Sequence, residues 1–367
     1  INNAAGTISS GGGGGAIANG GPLLTIINST LSGNLAADFG GCIGNGQNPP
    51  SALTITDSIL SNNSAYDGGC IYNASGLAVT ITNTTLSGNT AGRDGAGIFN
   101  NALSTGIMNF NNSRLFNNTA TGSGGGIYNR AKLVVSNSTL SGNAAMTNDG
   151  GGLWSGGGSQ LTVNQSTLSN NSAATSGGGL WLYGAQVTIT NTTLSGNTAK
   201  QDGAGVYNTE LGSLQLLSSI LFDNTATGSG GGVYNRSTLV VSNSTLSGNT
   251  ATTNDGGGLW SGGGSQLTVS QSTLSDNSAG FSGGGLWLYG AQTTIGNSLV
   301  SGNAAPRGKE IQQDNSTAGG VFNSQGHNLF GENGASGVDG VALSASDLIL
   351  AGAVSTALSP LANNGGT

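Results

Sequence analysis

The sequence predicts an all-β fold, a parallel β-helix (β-solenoid) of about 11–12 coils, with 25–29 residues per coil. Three observations lead there. A short phrase recurs along the chain, the segments between its copies alternate with period two, and helix formers are scarce. The phrase Leu31-Ser32-Gly33-Asn34 returns with its last residue at Asn63, Asn89, Asn118, Asn143, Asn171, Asn197, Asn224, Asn249, Asn277 and Asn303, at spacings of 25 to 29 residues. Between copies lies a second phrase of Gly-Gly-small-aliphatic-aromatic-Asn type, as in Gly68-Gly69-Cys70-Ile71-Tyr72-Asn73.

Alternation of the kind Leu53-Thr54-Ile55-Thr56 and Val187-Thr188-Ile189-Thr190 marks short strands, because successive side chains of a strand face opposite sides. Three strands and three turns fill one coil, and like strands of successive coils pair in parallel about 4.8 Å apart. Helical repeats need residues that favour helices, whereas Gly, Ser, Thr and Asn make up 197 of the 367 residues. Residues 118–195 match 224–301 at 64 of 78 positions with a constant offset of 106. Copying such a block is tolerated when each repeat touches only its neighbours.

Composition excludes other classes. Collagen needs abundant Pro in a three-residue period, and this chain has five Pro. No apolar run approaches the roughly 20 residues of a membrane span. A net charge of −7 with eight scattered Lys and Arg argues against a nucleic-acid partner, which calls for clustered cations. No cofactor is implied.

Stacking turns each repeat position into a column. Leu31, Leu60, Leu86 and their successors to Val300, with Ile17, Ile43, Ile71 and their successors to Leu286, form the expected core. The repeat Asn, and a second amide-rich column six residues earlier (Asn28, Asp57, Asn83, Asn112, Asn137, Gln165 and onward), are expected to run side-chain ladders along the rod.

The pairing of Gly14-Gly15-Ala16-Ile17 with Leu31-Ser32-Gly33-Asn34, repeated over residues 14–303, resembles the repeat of the polymorphic outer membrane proteins. More broadly it resembles bacterial surface and secreted proteins of the pectin-lyase-like class. That resemblance implies a right-handed β-helix. In the family the second phrase usually begins with Phe, where this chain has Leu. Gly326-His327-Asn328-Leu329-Phe330-Gly331 and the closing Leu361-Ala362-Asn363-Asn364-Gly365-Gly366 resemble the end of a repeat region in large surface proteins. The start, Ile1-Asn2-Asn3-Ala4-Ala5, resembles the middle of a coil. The expected organisation is a β-helix over 1–303 and a less regular capping segment over 304–367.

The residue after each core aliphatic is expected to point outward. From the third coil that column is Tyr72, Phe99, Tyr128, Trp154, Trp181, Tyr207, Tyr234, Trp260 and Trp287, and it holds all four Trp of the chain. Two positions earlier runs Ala16, Cys42, Cys70 and then Gly from Gly97 to Gly285, expected as a flat strip beside the rings. Three readings stay open: rings that cover the strip and stiffen the rod, an assembly surface, or stacking of sugars.

Cys42 and Cys70 share one repeat position in neighbouring coils. They are either a disulfide pair, which fits an oxidising compartment, or two small residues in a tight place. Asp38, Asp67 and Asp94 fall at one turn of three adjacent coils. They read as turn caps, or less readily as a Ca²⁺ site. Lys and Arg meet acids only in the neighbours Arg93-Asp94, and His327 is the single His, so catalysis has little to stand on.

The expectation is therefore a non-enzymatic structural or adhesive solenoid, extracellular or at the cell surface. Open coil ends would make it a homo-oligomer or head-to-tail filament. Surface glycans and cell-envelope components are the other expected partners. The alternative is a carbohydrate-binding β-helix using the aromatic column, and after it a polysaccharide lyase or hydrolase.

Overall fold

The computed structural model describes residues 13–46, 50–101, 106–314 and 319–356. Both Ile1 to Ala5 and Leu361 to Gly366 lie outside them. The described chain is all strand and turn apart from one 3₁₀ turn at Val354–Thr356. Two compact units divide it, Ile1–Val187 and Thr188–Thr367.

In the first unit the strands that begin at Ile17, Ile43, Ile71, Ile98, Ile127, Leu153 and Leu180 follow one another in one parallel sheet. Registers pair like with like: Ile71 with Ile98, Tyr72 with Phe99, Asn73 with Asn100. One full coil shows the plan. Ile71–Asn73, Val79–Thr82, Thr85–Ser87 and the two-residue Thr90–Ala91 each join a different sheet. The fourth strand was not expected, because two residues are too few to show a period. In the second unit the same sheet position is held by strands beginning at Val206, Val233, Leu259, Leu286, Ile311 and Val338. Past residue 303 pairing continues, with Ile311–Asp314 on Leu286–Tyr289 and Val321–Ser324 on Gln292–Gly296.

The aliphatic columns are the core. Leu60, Leu86, Leu115 and Leu140 are fully buried, as are Ile43, Ile71, Ile98 and Ile127. The strand Val79–Thr82 alternates buried with half-buried residues, so Val79 and Ile81 fill the interior while Thr80 and Thr82 face water.

The repeat Asn form a true ladder. Asn63 donates its side-chain amide to Asn89 Oδ1 at 3.0 Å, Asn89 to Asn118 at 2.8 Å, and Asn118 to Asn143 at 3.0 Å. Each amide oxygen also takes the backbone N–H of the preceding coil, as Asn89 Oδ1 does from Asn63 at 2.9 Å. These side chains are buried, where an unpaired amide would be costly. The second unit repeats the chain of bonds from Asn197 to Asn303. A second buried ladder runs through Asn45, Asn73, Asn100 and Asn129, each step 2.8 Å; it is the last position of the Gly-Gly phrase.

The column six residues earlier shows the expected side-chain bond at one step, Asn83 donating its amide to Asp57 Oδ1 at 3.2 Å, but it is not a buried ladder. Asn28, Asp57, Asn83, Asn112, Asn137 and Gln165 all have φ between 46° and 51°, and they sit exposed. Their amide chemistry serves a left-handed turn, which Asn and Asp adopt more readily than other side-chain-bearing residues.

Candidate functional site

The aromatic column lies on the strands that follow the Gly-Gly turns. In the first unit Tyr72, Phe99, Tyr128, Trp154 and Trp181 stack ring on ring, with centroids 4.2 to 5.2 Å apart and interplanar angles of 3° to 13°. In the second unit Tyr207, Tyr234, Trp260 and Trp287 do the same at 4.0 to 5.4 Å. The in-register strand pairing makes this possible, since it brings successive rings to a spacing close to that of stacked aromatics.

The column is less open than expected. Phe99, Tyr128 and Trp260 are buried, because each ring covers the faces of its neighbours. The expected outer Gly strip is corrected too. A Cβ built on Gly97 would lie 2.7 Å from Gly126 O and 3.0 Å from Leu115 Cδ1, and one on Gly152 would lie 3.1 Å from the ladder amide of Asn171. The strip faces inward. The backbone gives the reason: Gly97 and Ile98 both donate their N–H to Gly126 O, so strand alternation breaks at this point. The glycines that do meet the rings are others. A Cβ on Gly156 would lie 2.6 Å from Trp154 Cη2, and one on Gly262 would lie 2.6 Å from Trp260 Cη2. Each indole therefore lies flat over its own strand.

Each unit carries one copy of a wider platform. Tyr183 stacks on Trp181 at 6.1 Å, and Tyr289 on Trp287 at 5.6 Å. Both tyrosines are exposed, 47% and 37%. Arg130 places its guanidinium 5.4 Å from the Tyr128 ring centre and 5.8 Å from that of Trp154, a cation–π arrangement. Arg236 takes the corresponding place beside Gly263 and Tyr234. Burial pushes the Tyr128 phenol up, and the Tyr234 phenol up strongly, so both stay neutral hydroxyls. Gly158 and Gly264, in the turns that follow the Trp154 and Trp260 strands, have nothing within 4 Å of a built Cβ. Tyr183, Tyr289, Arg130 and Arg236 escaped the sequence reading. Only their adjacency to the Trp column, at i+2 and one coil back, pointed to them.

The turn acids bridge coils. Asp94 Oδ1 accepts the Ser123 N–H at 2.7 Å and Asp202 Oδ1 that of Ser229 at 2.6 Å; burial raises both carboxyls above the usual range. Asp67 is fully buried and ion-paired with Arg93 of the next coil, so Arg93 meets an acid beyond its neighbour Asp94. Asp38 belongs to the same run of turns, its carbonyl accepting the Asp67 N–H at 2.9 Å. Among the described residues no three His, Cys, Asp or Glu are grouped to hold a metal. Cys42 and Cys70 are buried thiols, and the Cys42 N–H donates to Cys70 O at 2.9 Å. Burial and the neighbouring Cys42 push the Cys70 thiol well up. No described helix is long and apolar enough to cross a membrane.

Comparison with known proteins adds the following. The family described as the right-handed β-helix region matches residues 94–246 and again 176–335, together more than half of the chain. No curated protein matches. Among solved structures the chain is similar to an endo-xylogalacturonan hydrolase from Aspergillus tubingensis, at 13% identity and a TM-score of 0.35, over 88% of this chain and 92% of that one. At that identity no residue role carries over. The expectation of a non-enzymatic structural or adhesive solenoid is nevertheless corrected. The family that matches is defined by the right-handed β-helix itself, which leaves the expected structural or adhesive role without support. The handedness expected from the paired motif agrees with the family match, and this chain belongs to the right-handed β-helix family.

Proposed function

We propose that this chain is an extracellular carbohydrate-binding β-helix that receives a glycan on its aromatic platforms. The observation that carries this reading is the pair of exposed tyrosines, Tyr183 and Tyr289, each stacked on a Trp. The inner rings cover one another, so the aromatic surface left for a ligand is at these two positions and along the ring edges. A sugar presents an apolar C–H face to such a ring, while its hydroxyls meet nearby polar groups, here Arg130 and Arg236. Sites of mainly aromatic lining with a few placed polar groups are the usual form of small-ligand recognition. The likeness of the repeat to that of the polymorphic outer membrane proteins supports a place on or outside a bacterial cell, where glycans are the available partners.

The test is retention on immobilised xylan, β-glucan, arabinan and polygalacturonate, with release of reducing ends measured on the same polymers. Tyr183→Ala combined with Tyr289→Ala is expected to weaken binding of the retained polymer at least tenfold. A wild-type chain retained by none of them, or a double variant that binds as wild type, would overturn the reading.

A further inference from the structure

Thirteen Asn-x-Ser/Thr triplets stand in the sequence, and the structure sorts them. Eight have their Asn exposed in a left-handed turn, with φ between 49° and 55°. Five of these belong to the column six residues before the buried ladder: Asn28, Asn83 and Asn137 in the first unit, Asn191 and Asn243 in the second. The other three, Asn62, Asn117 and Asn170, stand one residue before the ladder in intervening coils. Two triplets are closed, since Asn73 and Asn235 are buried. Asn73 gives its amide to Asn100 at 2.8 Å, and Asn235 gives its own to both Ser237 O and Ser261 Oγ. Asn111 and Asn164 are half-buried within strands, and Asn315 lies outside the described residues.

The fold does not require the triplet. Its turn needs a residue that accepts positive φ, and Asp57, Gln165, Ser218 and Gln271 serve as well, at φ 46° to 50°. Two residues on, the position that opens the next strand takes Ile59, Arg114 and Ile220. Yet alternate coils join Asn to Thr: Asn28 with Thr30, Asn83 with Thr85, Asn137 with Thr139, and again Asn191 with Thr193 and Asn243 with Thr245. Asn297 with Leu299 ends the series. Two steps of parallel strand set members of one row about 10 Å apart within a unit. That is room for one sugar chain each, where sites on every coil would crowd at about 5 Å. Asn83 spends one amide hydrogen on Asp57 Oδ1 at 3.2 Å, and its second is left for exchange.

We propose that the exposed turn asparagines are N-glycosylation sites, with Asn28, Asn83, Asn137, Asn191 and Asn243 as the main row. The triplet is the acceptor signal for that modification, which belongs on an exposed turn. The side-chain nitrogen attacks the anomeric carbon of a glycosyl diphosphate donor. An N–C bond forms, the C–O bond to the diphosphate breaks, the diphosphate leaves, and the amide gives up one proton. Both rows of sites flank the strands of the Thr85–Ser87 sheet, and in each coil a further strand on either side separates those from the aromatic strand. The sugars therefore sit away from the strands of the platforms, and the proposal is independent of the glycan-binding reading. They hydrate a surface in a chain of which only 6% is charged, since such modifications are bulky and solubilising.

Intact-mass measurement and glycopeptide mapping of the protein taken from the cells that make it test the sites. The expected result is a mass above that of the polypeptide, with sugar on the turn asparagines and none on Asn73 or Asn235. Three variants made in the same cells separate the signal from the fold. Thr85→Ile copies Ile59, its register partner in the neighbouring coil, and Asn83→Gln copies Gln165, so the turn already accommodates both. Each should abolish sugar on Asn83 and leave Asn137 occupied, a loss of one glycan from the intact mass. Thr85→Ser keeps the hydroxyl and should keep the glycan. A bare polypeptide mass would overturn the proposal. So would sugar on Asn83 that survives Thr85→Ile, sugar carried only by Ser and Thr, or occupancy of Asn73 and Asn235 equal to that of the turns.

Discussion

The carboxylate of Glu310 accepts the side-chain amide of Asn303 at 2.6 Å and closes the Asn ladder of the second unit. It also takes the backbone N–H groups of Gly302 and Asn303, at 3.1 and 3.3 Å. Burial outweighs these three donors and pushes the carboxyl up to about 7 from an ordinary 4.5. The folded state then holds the proton more tightly than the unfolded chain. The stability this group contributes is fully present below pH 4.5 and is lost as pH rises through about 7, an effect of up to about 3 kcal/mol. Burial raises Asp94, Asp202 and Asp255 in the same sense. Thermal unfolding midpoints should therefore fall between pH 5 and pH 8, and Glu310→Gln should flatten part of that slope. A midpoint that climbs over this range would contradict the assignment.

The two Asn columns predict opposite tolerance. Asn118 is buried and serves the N–H and the amide of Asn89 while donating to Asn143 and Leu86 O. Asn118→Ala strands several buried groups at about 1–3 kcal/mol each. Asn112, exposed at φ 47°, should accept Gly almost neutrally, while Asn112→Val should cost about 1–2 kcal/mol. Urea unfolding of the three variants orders them; equal losses at Asn118 and Asn112 would erase the distinction.

That distinction also shows where the sequence falls silent. The coil length, the core columns and the ladder at Asn34 to Asn303 are legible because the repeat writes each position many times. The left-handed turn at Asn28, Asp57 and Asn83 is not, because an amide column looks the same whether it is a buried ladder or an exposed row at positive φ. The inward facing of Gly97 is hidden too: period-two reasoning assumes continuous strand, and the paired N–H donors of Gly97 and Ile98 interrupt it. Asp255 keeps Ser282 but lacks the hydroxyl that Thr175 gives Asp149, because Phe281 stands there in the second copy. Repetition shows what is shared, and this difference lies in what is not.

The flat indole of Trp154 depends on Gly156. A Cβ there would sit 2.6 Å from Cη2 and 3.0 Å from Cζ2, closer than real Cβ contacts allow. Gly156→Val should lift the ring from its stack with Tyr128 and Trp181. Near-UV circular dichroism should lose intensity, with far-UV strand signal kept. Gly157→Ala, one residue on, forces an unfavourable backbone at φ 68° but meets only Arg130 Cγ, at 4.0 Å. It should destabilise by about 1 kcal/mol and leave the near-UV signal intact. Identical spectra for Gly156→Val and wild type would mean that the ring does not rest on this glycine.

Cys42 and Cys70 stand at one register position of adjacent coils, beside the pairs Ile43 with Ile71 and Gly44 with Tyr72. Parallel neighbours lie about 4.8 Å apart, inside the range of Cα separations that a disulfide spans. The same position is Gly in later coils, where a Cβ would strike the next coil's carbonyl, so two successive thiols there are set against each other in a space otherwise closed. Oxidation by dithiodipyridine would form the bond, each thiol losing its proton and the reagent leaving as two thiopyridones. The closed loop constrains the unfolded chain by about 3–4 kcal/mol. The expected result is a mass lower by about 2 Da, loss of both alkylatable thiols under denaturant, and a higher midpoint than in Cys42→Ala treated alike. If both thiols remain alkylatable after treatment in mild denaturant, the pair is a packing contact and the first coils are held by backbone and ladder alone.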